Sequence, residues 1–373
     1  MDSEIALVHD YFIQMGGAER VAETFREMFP DAPFYTTVDL RQPRPAAVRT
    51  SWMQRLPRLK ELYRQYFMLY PLAVGSLNLA RYDLILSSTS GYAKGVRKRR
   101  GAVHVCYCHT PTRWVWRYED YAARENFGKL TQTALPWLLA ALRHWDHKAA
   151  QRPDYYLANS HVVAARIKTI YGREAHVIPP PVDVERFTPD GPDEDYYLLL
   201  SRLVPYKRLD LAITACRAAG RPLVVIGDGP DRHRLEQLAG PQTRFLGRQP
   251  DEVVNRYATR CRALLFPGEE DFGLTPLEIN ASGRPVIAFR AGGALETVSE
   301  GETGVFFDQP TARSLAAALE DFESREWHRP SLRRHAEKFG RDVFIRRLHE
   351  FLRQVAPSSC APLLAAQRLR PAF

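Results

Sequence analysis

Short apolar runs alternate with amphipathic helical patterns along almost the whole chain. Residues 5–8 read as a strand, and Ala18, Val21, Ala22, Phe25, Met28 and Phe29 then fall on one face of a helix. Further strands are predicted at 34–38, 84–87, 103–108, 155–158 and 176–178. The run VIPPPVDVERFTPDGPDED breaks both periodicities; it is polar and proline-rich, so it reads as a stiff linker. Beyond it the alternation restarts. YYLLLSRL is a strand, RLDLAITACRAAG a helix closing at Gly220, and PLVVIGDG a strand. Helix DRHRLEQLAG, strand RFLG, helix DEVVNRYATR and strand ALLFPG follow, then a helix at 275–282, strand PVIAF, helix 294–299, strand GVFF and helices at 311–323 and 341–355.

Strands alternating with short helices imply parallel sheets covered on both faces. The expected fold is α/β, with two doubly wound, Rossmann-like domains facing a central cleft. Their predicted bounds are 1–178 and 193–340, joined by a linker at 179–192 and followed by the helix 341–355 and a loose tail at 356–373. Ligands are expected at the carboxyl ends of the strands and in the cleft.

Composition narrows the class. Of 373 residues, 45% are apolar and 25% charged, as in soluble globular proteins. No run of about 18 apolar residues occurs. MDSEIALVHDY lacks the basic and apolar regions of a signal peptide. Five irregularly spaced cysteines argue against a disulfide framework, so a cytoplasmic location is expected. The net charge of +9 calls for acidic partners. Arg55, Arg58, Lys60 and Arg64 are interleaved with Leu56, Leu59, Leu62, Tyr63, Phe67 and Leu69, and Lys94, Arg97, Lys98, Arg99 and Arg100 form a second cluster. No nucleic-acid motif accompanies them; a surface that touches anionic membrane, peripherally at the inner face, or a solvated face fits better.

Several positions could carry chemistry. Gly16 and Gly17 open the first helix, where free N–H groups attract anions, although a tight turn is as common a use. His109 follows a strand in CYCHTPTRWVW and is expected to reach the strand-end cleft. Cys106, Cys108 and His109 lack a second cluster to complete four metal ligands, so buried small residues are the better reading. Arg202 and Lys207 follow the first strand of the second half, a placement suited to phosphate or to plain surface charge. Asp193, Glu194 and Asp195 match a DxD metal pattern but sit in a linker, where an acidic loop is expected. In GEEDFGLTPLE, Thr275-Pro276-Leu277-Glu278 has the form of a capping box with proline at the first helical position. Glu278 therefore has a purely structural use. Glu270 has none: it stands beside Gly273 at a helix start and is expected to accept hydrogen bonds from hydroxyl groups. Hydroxyls and phosphate together suggest a nucleotide sugar.

The E-x7-E of EEDFGLTPLE, the R-x4-K of RLVPYK, the early GGAER, the HTP after a strand and VIPPPVDVERF together resemble glycosyltransferase family 4, over residues 5 to 350. The resemblance implies a retaining, metal-independent enzyme of the GT-B fold without a cofactor, whose last helix returns from the nucleotide-sugar-binding second domain to the acceptor-binding first. YCHTPTRWVW and SRLVPYKRLDLAI are most similar to bacterial polysaccharide mannosyltransferases that use GDP-mannose. Carried over, Glu270 contacts the donor sugar's hydroxyls and Glu278 the ribose. Arg202 and Lys207 hold the diphosphate with backbone N–H groups near Phe272, Gly273 and Leu274. Gly17 approaches the phosphate, His109 the sugar, and Gln249 lies in the base-binding loop. The implied partners are a nucleotide-sugar donor and a glycan or polyprenyl-diphosphate-linked acceptor, with no nucleic acid. A UDP-sugar donor, or a nucleotide-sugar epimerase or phosphorylase of the same fold, is the alternative.

Overall fold

The computed structural model describes residues 4–13, 16–45, 47–118 and 129–356. The chain forms two compact units, residues 1–179 with 345–373, and residues 180–344. The predicted tail lies outside the described residues from 357 onward.

In the first unit, seven parallel strands are ordered β3-β2-β1-β4-β5-β6-β7: β1 Ile5–His9, β2 Phe34–Thr36, β3 Val48–Thr50, β4 Leu84–Thr89, β5 Val103–Cys108, β6 Tyr155–Ala158 and β7 Ala175–Val177. Every residue of β4 is buried, as expected of a central strand covered on both faces. The helix Gly17–Met28 buries Val21, Ala22, Phe25 and Met28, the predicted face. Between β3 and β4 the chain makes one-turn pieces, Trp52–Arg55, Leu59–Leu62 and Gln65–Met68, and a short helix Tyr70–Gly75. Such pieces are too short to show a periodicity, so the sequence pattern is silent there.

The second unit holds six parallel strands ordered β10-β9-β8-β11-β12-β13: β8 Tyr197–Leu200, β9 Leu223–Ile226, β10 Thr243–Gly247, β11 Leu264–Phe266, β12 Val286–Phe289 and β13 Gly304–Phe307. Its faces are covered by two clusters, one around Leu198, Val224, Leu264 and Leu277, the other around Leu199, Val225, Ile213 and Leu315. The proline-rich run is sewn to this unit. Arg333 donates to the carbonyls of Val184 (2.7 Å) and Phe187 (2.5 Å), Arg329 to those of Pro189 (3.1 Å) and Gly191 (2.9 Å), and Arg284 to those of Gly191 and Pro192 (both 3.0 Å). Each carboxylate of the DxD pattern meets an arginine: Asp193 pairs with Arg284 and Arg329, Glu194 with Arg260 and Asp195 with Arg262. Diverging to separate arginines, these carboxylates do not converge on a metal position.

The first unit contains a buried ion pair. Lys94 Nζ lies 2.5 Å from Asp146 Oδ1, and both side chains are almost fully enclosed. Asp146 also accepts from Thr112 Oγ1 (2.7 Å), Trp116 Nε1 (2.8 Å) and Tyr171 Oη (2.7 Å). Burying two charges is repaid only when such partners satisfy them. The network ties the segment after β5 to the helices Lys129–Ala149 and His161–Tyr171. Asp146→Ala strands a buried ammonium and is expected to lower stability by about 3–5 kcal/mol, read as the midpoint of urea unfolding at unchanged slope. Lys94→Met combined with Asp146→Leu is expected to cost much less, because no uncompensated charge remains.

Candidate active site

Each sheet has one place where its winding reverses, between β1 and β4 in the first and between β8 and β11 in the second. Loops leaving the two strands there turn to opposite faces and open a crevice at the carboxyl ends. Most of the predicted site residues collect at the second of these crevices.

Arg202 and Lys207 sit on the loop leaving β8. That loop is tied to the next one by Ser201 N–H donating to Ile226 O (3.1 Å) and Leu203 N–H to Asp228 O (3.0 Å). A one-turn piece, Pro205–Lys207, then presents Lys207 ahead of the helix Leu209–Ala218. Glu270, Phe272, Gly273 and Leu274 sit on the loop leaving β11 and its helix Leu274–Ala281. The two loops touch. A Cβ on Gly268 would lie 2.8 Å from the Lys207 Cα, so only glycine admits the approach. A Cβ on Gly293 would lie 2.2 Å from Phe272 O, and Gly293 N–H donates to Glu270 O (2.9 Å).

Held this way, Lys207 Nζ and Glu270 Oε1 form an ion pair with less than a fifth of either side chain exposed. The sequence reading treats Glu270 as a hydroxyl acceptor and Lys207 as a phosphate ligand, and the structure adds that they engage each other. Arg202 is exposed, with Nη2 3.4 Å from Tyr206 Oη, and the Lys207 ammonium lies 5.5 Å from the Tyr206 ring centroid. Tyr206 thus stands between the two cations. An aromatic residue within R-x4-K is the one signal in the sequence that points to it.

Two details of the GEEDFGLTPLE reading change. The helix starts at Leu274 with Gly273 as its N-cap (φ 88°) and no side-chain cap, so Thr275 to Glu278 is not a capping box. Glycine supplies the left-handed cap here, which moves Pro276 to the third helical position. Glu278 is half-buried in the second turn, and its structural use as a cap falls away. Phe272 is buried and stacks obliquely on Phe339, ring centroids 6.0 Å apart, so only its backbone is left to meet a ligand. Gln249 follows β10, the edge strand, and its amide donates to Leu246 O.

His109 and Gly17 lie on the corresponding rim of the first unit. His109 is buried after β5, with Nε2 2.8 Å from Ser88 Oγ, and its carbonyl accepts from Asn159 Nδ2 (2.9 Å). Burial, and secondarily His9, lower its pKa to about 3, so the ring is neutral at ordinary pH. Gly17 opens its helix, and the Glu19 carboxylate already accepts from the Gly16 N–H (3.0 Å). Next to them the buried Asp10 carboxylate accepts from Thr89 Oγ1 and the N–H groups of Ser90, Tyr92 and Ala93 at 2.6–2.9 Å. Cys106 and Cys108 pack in a core with Tyr156, Val163 and Ile167, and burial pushes the Cys106 thiol up to about 12.

Residues 15–186 match the model Glycosyltransferase Family 4, and residues 184–342 match Glycosyl transferases group 1. The GDP-mannose-dependent alpha-(1-6)-phosphatidylinositol monomannoside mannosyltransferase of Mycolicibacterium smegmatis is 29% identical over 219 residues, 50% of this chain and 56% of that enzyme. A D-inositol 3-phosphate glycosyltransferase of Kribbella flavida is 28% identical over 52% of this chain and 55% of its own. The matched region thus spans about half the length of these curated relatives. Among solved structures, Anabaena HepE in complex with UDP and glucose superposes with a TM-score of 0.68 at 18% identity, covering 94% of this chain and 99% of that one, a likeness of fold. The α/β fold with two parallel-sheet, Rossmann-like units is that of the GT-B enzymes. The chain belongs to the glycosyltransferases, with a family 4 domain in its first half and a group 1 domain in its second.

Proposed function

We propose that the protein is a retaining, metal-independent hexosyltransferase that moves mannose from GDP-mannose to a lipid-linked or other glycan acceptor in bacterial surface polysaccharide synthesis. The observation that carries this reading is the Lys207–Glu270 pair, with Arg202 across Tyr206 from it, at the reversal between β8 and β11. Cleaving the sugar–diphosphate bond leaves an oxocarbenium-like carbon and a more negative leaving group. Arg202, Lys207 and the N–H groups at Gly273 and Leu274 supply fixed positive charge for it, the work a metal would otherwise do. Glu270, already neutralised by Lys207, is a poor nucleophile and a good acceptor for sugar hydroxyls. Displacement is therefore assigned to the front face: the acceptor oxygen bonds to the anomeric carbon as the bond to phosphate breaks, and the leaving phosphate takes the acceptor's proton. Glu278 holds the ribose, Gln249 faces the base, and Gly17 approaches the phosphate. The relative from Mycolicibacterium smegmatis, named for GDP-mannose, supports the choice of donor.

Release of nucleoside diphosphate across a panel of nucleotide sugars tests the donor directly. GDP at about 100 times its Kd is expected to stabilise the chain by about 2.7 kcal/mol in thermal unfolding. A shift with UDP and none with GDP would replace the donor and leave the rest of the reading in place.

Arg202→Ala and Lys207→Ala are each expected to lower kcat/KM roughly 10- to 1000-fold, with part of the loss in kcat because charge on the diphosphate grows as the bond breaks. Arg202→Lys is not expected to rescue fully, since an ammonium lacks the two-point fork. Arg202→Ala that folds normally and turns over within threefold of the wild type would make it surface charge.

The acceptor side of the reading includes an anionic membrane surface. No helix among the described residues is long and apolar enough to cross a membrane. Between β3 and β4, however, Trp52 and Leu72 are exposed, and Leu62, Tyr63, Phe67 and Leu69 are half-exposed beside Arg55, Lys60 and Arg64. Arg58 is partly spent on Glu61, 2.6 Å away. Reversing Arg55, Lys60 and Arg64 to Glu is expected to weaken sedimentation with phosphatidylserine vesicles by about 1 kcal/mol for each charge removed, while activity on a water-soluble acceptor survives. Unchanged vesicle binding would return the segment to a solvated face.

A further inference from the structure

We infer that His9 and Ser88 hold His109 as the tautomer protonated on Nδ1, so that His109 presents an N–H donor to the transferred sugar. The contact with the sugar rests on the glycosyltransferase reading above; the tautomer does not.

The three residues meet at the winding reversal of the first sheet. His9 ends β1 and pairs in register with Ser88 of β4, and His109 follows directly after β5. His9 Nδ1 lies 3.1 Å from Ser88 O and 3.1 Å from Ser88 Oγ. A carbonyl can only accept, so His9 Nδ1 carries the hydrogen and is shared between the two oxygens. The Ser88 hydroxyl therefore accepts from His9, and its single proton cannot point back at that nitrogen. Its own proton goes to the remaining neighbour, His109 Nε2, 2.8 Å away. A ring nitrogen that accepts is unprotonated, and in a neutral imidazole the hydrogen then resides on Nδ1. The opposite arrangement, His109 donating to Ser88, would leave the hydroxyl of a fully buried serine without an acceptor among the described residues, a costly orphan. Burial, and then His9, keep the ring neutral. Nδ1 makes no hydrogen bond to another described residue.

The chemistry gives this tautomer a use. A neutral N–H can polarise or orient a sugar hydroxyl without setting a full positive charge beside an oxocarbenium-like carbon. An imidazolium would oppose that charge. His9 and Ser88 are in this sense positioning residues, acting through His109.

Nitrogen-15 spectra of the full chain labelled at histidine, with His109 assigned by its loss in His109→Gln, read the tautomer directly. The wild type is expected to show Nδ1–H and a bare Nε2. Ser88→Ala, which fits the same space, is expected to shift His109 toward the Nε2–H form. Its kcat should fall roughly 10-fold, the scale of one hydrogen bond, with donor KM within about threefold. A wild-type ring protonated on Nε2, or a Ser88→Ala ring that keeps the wild-type tautomer, overturns the proposal. Neither spectrum depends on turnover. Failure of the donor reading would show separately, as no nucleoside diphosphate released by the wild type from any nucleotide sugar, and it would remove the sugar as the donor's target.

Discussion

Lys207 and Glu270 meet because the loops that carry them touch backbone to backbone. The chain at Gly268 presses on the main chain of Lys207 with no room for a side chain between them, and Gly293 does the same against Phe272. Close-packed main chain is stiff, so the positions from which these side chains depart are set before any ligand arrives. The ion pair is a consequence of that approach. In a crevice where less than a fifth of each side chain meets water, it also keeps two charges from being stranded.

The two winding reversals are chemically unlike. The one between β8 and β11 gathers charge: two cations, a carboxylate and the start of a helix. The one between β1 and β4 gathers a hydrogen-bonded chain, two histidines bridged by a serine, with the Asp10 carboxylate accepting from four donors nearby. Parallel sheets with both faces covered leave little besides these strand ends for polar chemistry, and the two units place different kinds of group there.

Much of this was legible in the sequence, for identifiable reasons. The strand-and-helix alternation after residue 193 is regular enough to place each strand of the second sheet, and Arg202, Lys207 and Glu270 follow their strands as read. Other features depend on contacts that no local pattern encodes. Glycine at 273 fits both a loop and a cap, so the pattern alone starts the helix at 275 rather than 274 and offers Glu278 a capping box that the fold does not use. The partnership of Lys207 with Glu270 spans more than sixty residues and appears only when β8 and β11 lie side by side. The one-turn pieces between β3 and β4, and the helix Arg329–Glu337 whose Arg333 holds the proline-rich run, carry no readable period or were hidden by their charge. The run is held to the second unit by three arginines distant in sequence, contacts that its prolines do not announce.

The burial of Phe272 has a consequence for how this site can change over evolutionary time. With that ring committed to the core against Phe339, the loop offers the crevice main-chain N–H groups rather than side chains. No codon substitution deletes a main-chain donor, short of proline. Replacements at 272 would therefore be felt first as lost packing and a displaced loop, and the capacity to meet an anion would persist for as long as the loop keeps its course. On the proposed function, anion recognition at this end of the sheet is inherited with the fold itself, while the adjustable part of specificity is left to the few side chains, such as Glu270, Tyr206 and Glu278, that a single mutation can exchange.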